Sequence, residues 1–588
     1  AAAAGRARRN RCRKSGAAGN RRNFATAPGN DPVNVPNDEL RFPLPGENGP
    51  QRPAVDRKPP LGAAPRGKGK TSFLVWAPAA ERVDLHILPP KGRRVTMQRR
   101  DGGYHGIEVE GIRPGDLYVY RLDGLIERPD PASRSQPLGP CGPSAVVDDV
   151  AAREKSPWRG LELRDTILAE PVGSELSFDA IRSRIDRLSA LGFNALRVPL
   201  AAGRGFPFSV PPSQGGPDGL KRLVEACHRR GLAVLLALDL FETGIEGEPL
   251  VFFGPYFTGR DRCFNLGGPL SGEVRRYFTE CVLSRFRETG VDALDIGPVD
   301  GLADPSPLTL LEELSCAVHD EAKRIGRPLH LVARSGQNDP RLIRRREDGG
   351  IGLDAVWNPD FEEALHALLR GAAAGPGSDF GRLEHVRKAF LEGFVCSGGY
   401  SPTRLRRHGR SSRALPGERF LVRARPAAAG ERRHGPDGAD AFLCACLLLS
   451  PFLPLLAADG GGPAGGACCA DLIRLRKELR AMGLLDKQCM GALGYERQEV
   501  LLVRHWKDDA DLIILFHFGR RPVRISVPIP AGTWALRFDS ADRRWDGPGS
   551  ALPGPLQGDG GDVSLPLAPL SCAVYLRQRG ERTAVKDP

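Results

Sequence analysis

The sequence predicts a multidomain α/β plus β protein: a central (β/α)8 TIM barrel flanked by N-terminal and C-terminal β-sandwich domains. Three observations predict this order. Short strands of alternating polar and apolar residues come first, between about residues 71 and 126. Amphipathic helices that end at a glycine and lead into an apolar strand then repeat from about residue 175, and alternating strands return after about residue 495. Alternation is typical of antiparallel sandwiches, whereas repeated helix–strand units indicate a parallel sheet.

The N-terminal sandwich is predicted over residues 66–126, and it opens with the alternating stretch TSFLVWAPAAERVDLHIL. Gly-Asp and Pro-Gly pairs punctuate the strands that follow, as turns require. Residues 127–165, which begin with a proline-rich connector, are predicted to be a linker. Trp76 is predicted to be only partly buried, either at a domain seam or as a platform for a sugar ring.

The barrel is predicted over residues 166–485. Its first unit combines a serine that can cap a helix, one apolar helical face and a glycine suited to a left-handed stop: Ser177, Ile181, Ile185, Leu188, Leu191 and Gly192. Later units repeat the pattern and have Gly231 and Gly290 at their helix ends. The length favours a closed barrel. An open doubly wound sheet is the alternative, but no glycine-rich nucleotide loop supports it.

The C-terminal sandwich is predicted over residues 486–580, where strands such as EVLLVRHW and ADLIILFHFG alternate again. The longest apolar stretch, AFLCACLLLSPFLPLLAA at 441–458, approaches the length of a membrane span. Pro451 and Pro454 interrupt it, so a buried helix leading into a barrel strand is predicted, with no membrane partner.

Residues 1–65 are rich in Arg, Pro and Gly and are predicted to be a disordered extension. Part of the net charge of +13 is concentrated there, since eight basic residues precede the first acidic residue, Asp31. Such a start is also typical of an organelle transit segment or a nucleic-acid arm. We expect a cytoplasmic protein, with an organelle as the alternative if this start is a transit segment.

The 13 cysteines are dispersed, with no CxxC pair and no Cys/His cluster at zinc spacing. This distribution favours a reducing compartment over a disulfide framework. We predict no metal and no organic cofactor.

Long stretches of the chain resemble one family. FLVWAPAAERVDLHIL looks like an N-terminal glucan-binding type of sandwich, RPDPASRSQPLGPCGPSAVVDD like the family's linker, and GLDAVWNPDFEEALHALLRG and LLLSPFLPLL like its barrel. From about residue 66 to 578 the chain resembles the α-amylase superfamily (glycoside hydrolase family 13), and within it the malto-oligosyltrehalose trehalohydrolases. The resemblance implies cleavage of the α-1,4 bond beside the trehalose unit of a maltooligosyl-trehalose.

Such retaining chemistry needs a carboxylate nucleophile and a carboxylic acid about 5 Å apart. The family's nucleophile strand resembles VDGLRLD, and this chain reads VDALDIG, with Gly297 at the nucleophile position and Asp295 in place of an arginine. The acid strand resembles IAES, and this chain reads VARS, with Arg334 at the acid position. Glycine cannot attack carbon, and arginine does not donate its proton at a useful pH.

Two further motifs also differ from the family. Where the family has NHDQ after GERF, this chain has Pro426, Ala427, Ala428 and Ala429, so that Ala428 replaces the third carboxylate. The family's DVVYNH reads ALDLFE here and ends at Glu242. The flanking stretches GVD, NDPRLI and LPGERF fix the alignment at the nucleophile, acid and third positions.

The resemblance therefore predicts a catalytically degenerate relative in α-glucan and trehalose metabolism that keeps a glucan-binding or regulatory role. Its predicted partners are an α-glucan or maltooligosyl-trehalose, and an active paralogue is a further candidate. The residues predicted to contact sugar are Asp295, Glu242, Asn338, Asp339, Asp360 and Phe361.

Two other hypotheses stay open. The chain is an active hydrolase if carboxylates have been relocated, with Asp295, Asp300, Glu242 and Asp360 as candidates. It is a polyanion-binding protein if the basic start or TRLRRHGRSSR at 403–413 binds nucleic acid. The low aromatic content of 6% offers no base-stacking pattern, so no nucleic-acid partner is expected.

The exchange of signs inside the barrel gives a further prediction. Asp295 replaces an arginine and Arg334 replaces a glutamate, on strands that converge at one end of the barrel. An unpaired buried charge there would cost several kcal/mol, roughly 3–5. We therefore predict that the two side chains point into one cavity and compensate each other. The alternative is that Arg334 extends to solvent and Asp295 pairs with another base.

Overall fold

The structure is a computed structural model. It describes residues 59–578, apart from 140, 149–156, 173–176, 201–205, 242–248, 259–262, 371–378, 424–438, 459–465, 509 and 546. Residues 1–58 of the predicted disordered extension therefore lie outside the described part of the chain.

The N-terminal domain is a sandwich of two antiparallel sheets, as predicted. One sheet has the strand order β1-β2-β6-β5 and the other β4-β3-β7-β8, with β9 paired to β7. The strands are β1 (Gly62–Gly67), β2 (Lys70–Trp76), β3 (Val83–Ile87), β4 (Arg93–Thr96), β5 (Gln98–Arg100), β6 (Tyr104–Glu110), β7 (Leu117–Leu122), β8 (Ile126–Arg128) and β9 (Ser144–Ala145). The predicted bounds are too narrow: β1 begins inside the predicted extension, and β8 and β9 reach into the predicted linker because they complete the second sheet.

Eight parallel strands close the central barrel, as predicted. Their order is β10-β11-β12-β15-β16-β17-β20-β21, and the last strand pairs with the first. The strands are β10 (Leu168–Glu170), β11 (Ala195–Pro199), β12 (Ala233–Leu238), β15 (Ala293–Ile296), β16 (His330–Ala333), β17 (Ala355–Trp357), β20 (Phe420–Arg423) and β21 (Leu453–Ala457). Two small hairpins lie between them: β13 (Phe257–Thr258) with β14 (Cys263–Phe264), and β18 (Tyr400–Ser401) with β19 (Arg406–Arg407).

The helices that accompany the barrel are α1 (Phe178–Arg182), α2 (Ile185–Ala190), α3 (Gly216–Arg229), α4 (Ser271–Ser284), α5 (Leu310–Ile325), α6 (Pro359–Arg370), α7 (Leu383–Glu392), α8 (Ala439–Leu448) and α9 (Ala467–Ala481). Ser177 caps α1 as predicted and accepts from the Ala180 N–H at 3.2 Å. The single helical face expected there belongs to two short helices, broken at Ser183 and Arg184. The apolar stretch at 441–458 forms α8 and β21, as predicted.

The C-terminal domain is a second sandwich. A six-stranded sheet of order β22-β23-β24-β29-β26-β27 faces a two-stranded sheet of β25 and β28. The strands are β22 (Met490–Tyr495), β23 (Val500–Lys507), β24 (Ala510–His517), β25 (Val523–Pro528), β26 (Gly532–Asp539), β27 (Pro555–Gly558), β28 (Asp562–Leu567) and β29 (Ser571–Gln578). A separate apolar cluster that includes Val500, Leu502 and Trp534 lies inside this sandwich.

The barrel interior is filled by layers of side chains that alternate along the strands. An apolar layer includes Leu168, Ala195, Leu235, Ala293 and Val332. The next inward positions toward the carboxyl ends of most strands are charged or aromatic, and they form the site described below. No helix in the described part of the chain is long and apolar enough to cross a membrane.

Candidate functional site at the barrel mouth

Gly297 and Arg334 lie next to each other where two parallel strands end. β15 and β16 pair Ile296 with Ala333, and the Arg334 N–H donates to the Ile296 carbonyl at 2.8 Å. Gly297 has a φ of +153°, and a Cβ there would lie 2.8 Å from Arg334 Cβ and 3.0 Å from the Arg334 carbonyl oxygen. The backbone at Gly297 therefore has no room for a side chain.

Asp295 is fully buried and uses both carboxylate oxygens. Its Oδ2 accepts from Nε and Nη2 of Arg197 at 2.9 and 2.7 Å. Its Oδ1 accepts from Trp357 Nε1 at 3.0 Å and lies 3.2 Å from Arg334 Nε. The exposed fraction of Asp295 is 0%, because three neighbours enclose it. Direct contact between Asp295 and a sugar stays a prediction.

Arg334 crosses the barrel mouth from β16 toward β12. Its Nη2 donates to Asp239 Oδ1 at 2.5 Å, to the Leu238 carbonyl at 3.0 Å and to the Gly297 carbonyl at 3.1 Å. Its Nε lies within ion-pair distance of Asp295 without the alignment of a hydrogen bond. The prediction that Asp295 and Arg334 share one cavity is confirmed. The alternative was that Asp295 pairs with another base, and this part of it also holds, because Arg197 donates two hydrogen bonds to Asp295.

The ion pairs continue across the barrel into a chain of charges. Arg197 Nη1 also donates to Glu170, the last residue of β10. Arg423 is the last residue of β20. Its Nη1 lies 3.7 Å from Glu170 Oε2, and its Nε lies 3.7 Å from Glu362 Oε2. Burial alone would lower the pKa of Arg197, but Asp295 and Glu170 outweigh it and raise that pKa. Alternating signs therefore stabilise charges that the barrel would otherwise exclude.

Trp357 completes this layer from β17. Its ring is half-buried, and the guanidinium carbons of Arg197 and Arg423 lie 5.0 and 5.1 Å from the ring centroid. Both distances are within the range of a cation–π contact. We name the layer formed by Glu170, Arg197, Asp239, Asp295, Arg334, Trp357 and Arg423 the charged layer.

Asn338 and Asp360 lie together, but they stabilise loops. Asp360 lies in the first turn of α6 and accepts from Asn338 Nδ2 at 2.7 Å and from the Val395 and Cys396 N–H groups at 2.9 and 2.7 Å. The exposed fraction of each is 1%. The polar groups of both residues are bonded within the protein, and sugar contact at Asn338 and Asp360 stays a prediction.

Phe361 and Asp339 also have local partners. Phe361 is fully buried and packs against Phe390 and Phe452, and its contact with sugar stays a prediction. Asp339 is half-buried and caps a short turn by accepting from the Arg341 N–H at 3.0 Å. Burial would raise the pKa of Asp339, but the bonds from Arg341 lower it. Sugar contact at Asp339 stays a prediction.

Two predicted positions, Glu242 and Ala428, lie outside the described residues. Asp300 is described, and it holds the loop after β16. It accepts from Ser335 Oγ at 2.6 Å and from the Gly336 N–H at 2.8 Å.

The sequence analysis missed five members of the charged layer: Glu170, Arg197, Asp239, Trp357 and Arg423. A usable signal was present for Arg197, which interrupts the apolar strand ALRVP. Arg423 ends the apolar strand FLVR in the same way. A charged residue at an inward position of a buried strand requires a partner on a neighbouring strand.

Trp76 does not line this mouth. Its exposed fraction is 2%, its Nε1 donates to the Gly102 carbonyl at 3.0 Å, and its ring meets Tyr256 edge-on at 5.0 Å. The prediction of partial burial is wrong, because a residue of the barrel domain closes over the ring. Trp76 is a seam residue between the two domains.

A parallel eight-stranded barrel between two β-sandwiches, with residues of the resembled motifs at its mouth, defines the α-amylase type of glycoside hydrolase fold. Residues 60–130 match carbohydrate-binding module 48, the isoamylase N-terminal domain. The chain belongs to the malto-oligosyltrehalose trehalohydrolase family. It is 32% identical to the malto-oligosyltrehalose trehalohydrolase of Saccharolobus solfataricus over 66% of this chain and 72% of that one. It is 36% identical to that of Arthrobacter ramosus over 65% of this chain and 72% of that one.

Solved structures share the architecture. A Salmonella typhimurium protein classed provisionally as an α-amylase superposes with a TM-score of 0.73 at 23% identity, over 88% of this chain and 99% of that one. A pullulanase of Anoxybacillus sp. LM18-11 in complex with maltotetraose superposes with a TM-score of 0.62 at 15% identity, over 88% and 87% of the two chains. At these identities the likeness shows the fold.

Proposed function

We propose that this chain is a non-hydrolytic member of the trehalohydrolase family that binds α-glucan or maltooligosyl-trehalose. One observation carries the proposal: a Cβ at residue 297, which a nucleophile there would need, would lie 2.8 Å from Arg334 Cβ and 3.0 Å from the Arg334 carbonyl oxygen. The nucleophile is therefore missing for two reasons: residue 297 has no side chain, and its backbone position leaves no room for one. Replacing Gly297 alone with aspartate would not create a usable nucleophile.

The residue at the acid position supports the same proposal. A general acid has to deliver a proton to the leaving oxygen, and a guanidinium does not do so near neutral pH. Arg334 is moreover held by Asp239 and by two carbonyls, so that it fills the mouth rather than facing a substrate.

The hypothesis of relocated carboxylates has one supporting observation. The Asp239 side chain is 36% exposed at the tip of β12, next to the mouth. The described partner of Asp239 is the Arg334 guanidinium. The other nearby carboxylate, Asp295, is fully buried and does not face the solvent side of the mouth. A retaining mechanism needs two facing carboxyl groups. We therefore rank hydrolysis through Asp239 below a binding role.

A binding role is supported by what the mouth retains. Trp357 and Asp239 are partly exposed there and offer an aromatic ring and a hydrogen-bond acceptor. The third hypothesis, polyanion binding, rests in part on the basic start, which lies outside the described part of the chain. In its second segment, residues 403–413, Arg404 lies 3.3 Å from Asp379 and Arg406 donates to Gln337 at 2.9 Å, so these two side chains have partners within the protein.

Equilibrium binding tests the proposal. The purified chain is titrated with maltooligosyl-trehalose in a calorimeter, and the sugar is recovered and analysed by chromatography. We expect saturable binding with the sugar recovered intact. Absence of binding would overturn the glucan-binding part, and cleaved sugar would overturn the non-hydrolytic part.

A further inference from the structure

The second sheet of the C-terminal sandwich covers only part of the six-stranded sheet. Val500 and Leu502 on β23 face this second sheet and are buried in the apolar cluster between the sheets. Side chains alternate along a strand, so Arg504 and Trp506 point to the same face two and four residues beyond Leu502. Burial decreases along this row, and the exposed fraction of Trp506 reaches 41%. Among the described residues, none covers the face at this end enough to bury Trp506.

The neighbouring strand leaves space beside the Trp506 ring. β22 pairs Gly491 with Arg504, and a Cβ at Gly491 would lie 3.6 Å from the Trp506 ring. Since glycine has no side chain, the ring borders bare backbone. Leu493, two residues along β22 on the same face, is 51% exposed. We name Gly491, Leu493, Arg504 and Trp506 the Trp506 platform.

Arg504 supplies hydrogen-bond donors at this platform. Its guanidinium carbon lies 5.8 Å from the Trp506 ring centroid. Its Nη2 reaches the buried Asp511 Oδ1 at 3.4 Å, and its side chain is 36% exposed. A guanidinium carries five N–H donors in a planar fork, so donors remain for a ligand.

An exposed tryptophan beside an arginine matches the chemistry of a sugar ring. A pyranose has one face of C–H groups that packs on an aromatic ring, and hydroxyls around its edge that accept from a guanidinium. Among the large apolar side chains that the described part exposes, the aromatic ones are Tyr400 and Trp506. Tryptophan is enriched at interfaces because its ring is apolar and its N–H is polar, and here the ring is paired with an arginine that has donors at the same face.

We propose that the Trp506 platform is an α-glucan contact on the C-terminal sandwich, separate from the barrel mouth, with a glucose ring stacked on Trp506 and its hydroxyls bonded to Arg504. This rests on the proposed function, which makes the chain a glucan-binding protein. A second copy of the chain fits less well, because a stable protein interface buries about 800 Å² per partner. The exposed apolar part of the platform is one tryptophan and one leucine.

Affinity electrophoresis through gels that contain amylopectin tests the proposal on the full chain. We expect wild type to be retarded and Trp506→Ala to have a dissociation constant about tenfold higher, in proportion to one lost stacking contact. Trp506→Phe keeps a ring and should recover part of the retardation. Tyr400→Ala is the matched control, since it removes the other exposed aromatic ring and should migrate as wild type. Thermal unfolding should show all three variants folded.

The outcomes separate the two proposals. Retardation of Trp506→Ala equal to wild type overturns the platform and leaves the glucan-binding function in place. No retardation of wild type overturns both. A change in sedimentation of Trp506→Ala, with unchanged retardation, identifies a protein interface and also overturns the platform.

Discussion

Asp295 Oδ1 lies 3.2 Å from Nε of Arg334, and these residues stand where the family's pattern has an arginine and a glutamate. The two signs are exchanged between neighbouring strands, and the pair remains. Arg197 supports it from a third strand. The barrel mouth therefore keeps ion pairing across its strands, with Gly297 and Arg334 at the positions that the resemblance assigns to the nucleophile and the acid.

The first prediction concerns this pair. Asp295→Asn should cost about 3 kcal/mol of unfolding free energy, because it leaves Arg197 and Arg334 without their shared carboxylate. Arg334→Gln should cost about 1 kcal/mol, because its side chain is 27% exposed and solvent screens its charge. The double variant should be more stable than the sum predicts, by about 1 kcal/mol. Urea unfolding of the four proteins measures the coupling.

Strict additivity in this cycle would contradict a direct interaction. A second cycle with Asp295→Asn and Arg197→Gln serves as control. Both arginines should show dependence on Asp295, and the Arg197 cycle should give the larger coupling because its two hydrogen bonds are well aligned.

The second prediction concerns space at Gly297. Gly297→Ala should destabilise the protein by about 1–3 kcal/mol, because its Cβ would overlap the Arg334 backbone. Gly399→Ala is the matched control, since nothing lies within 4 Å of a Cβ there and no left-handed φ is required. Equal unfolding free energies for the two variants would show that residue 297 has room for a side chain.

Periodicity and glycine positions were enough to predict the three domains and the closed barrel, because they depend on local patterns. The site was predicted only in part. Gly297, Arg334 and Asp295 followed from motif positions, but Arg197 contacts Asp295 from 98 residues away, and no local pattern states that pairing. The burial of Trp76 was misjudged for the same reason, because burial depends on which distant element packs over a side chain.

The third prediction concerns the domain seam. Trp76→Ala should lower the unfolding free energy by about 3–5 kcal/mol, as is usual for removal of a buried tryptophan. Glucan retention by the folded variant should equal that of wild type, because Tyr256 covers the ring. Weaker retention at unchanged stability would instead indicate a sugar platform at Trp76.

The fourth prediction concerns acid stability at the opposite end of the barrel. Burial would raise the pKa of Asp292, but the hydrogen bond and charge of His228, with Arg327 and Trp158, lower it below its usual value. A lowered folded-state pKa stabilises the protein above the unfolded-state pKa of about 4, and this stabilisation is lost as the pH falls through the folded-state pKa. At neutral pH the unfolding free energy of wild type should exceed that of Asp292→Asn by about 3 kcal/mol.

That difference should narrow below pH of about 4, because the protonated carboxyl then resembles the amide. Urea unfolding of both proteins between neutral pH and pH 3 measures it. A constant difference over this range would contradict the role given to the Asp292 carboxylate.

The most direct measurement is trehalose release from maltooligosyl-trehalose by the purified full chain, with the Saccharolobus solfataricus relative as the positive control. We predict release at the uncatalysed background rate for wild type and for Asp295→Asn and Asp239→Asn alike, because no nucleophile fits at Gly297 and Arg334 cannot act as the acid. Trehalose release above background by wild type, reduced in Asp239→Asn or Asp295→Asn, would contradict the account and show that relocated carboxylates carry out the hydrolysis.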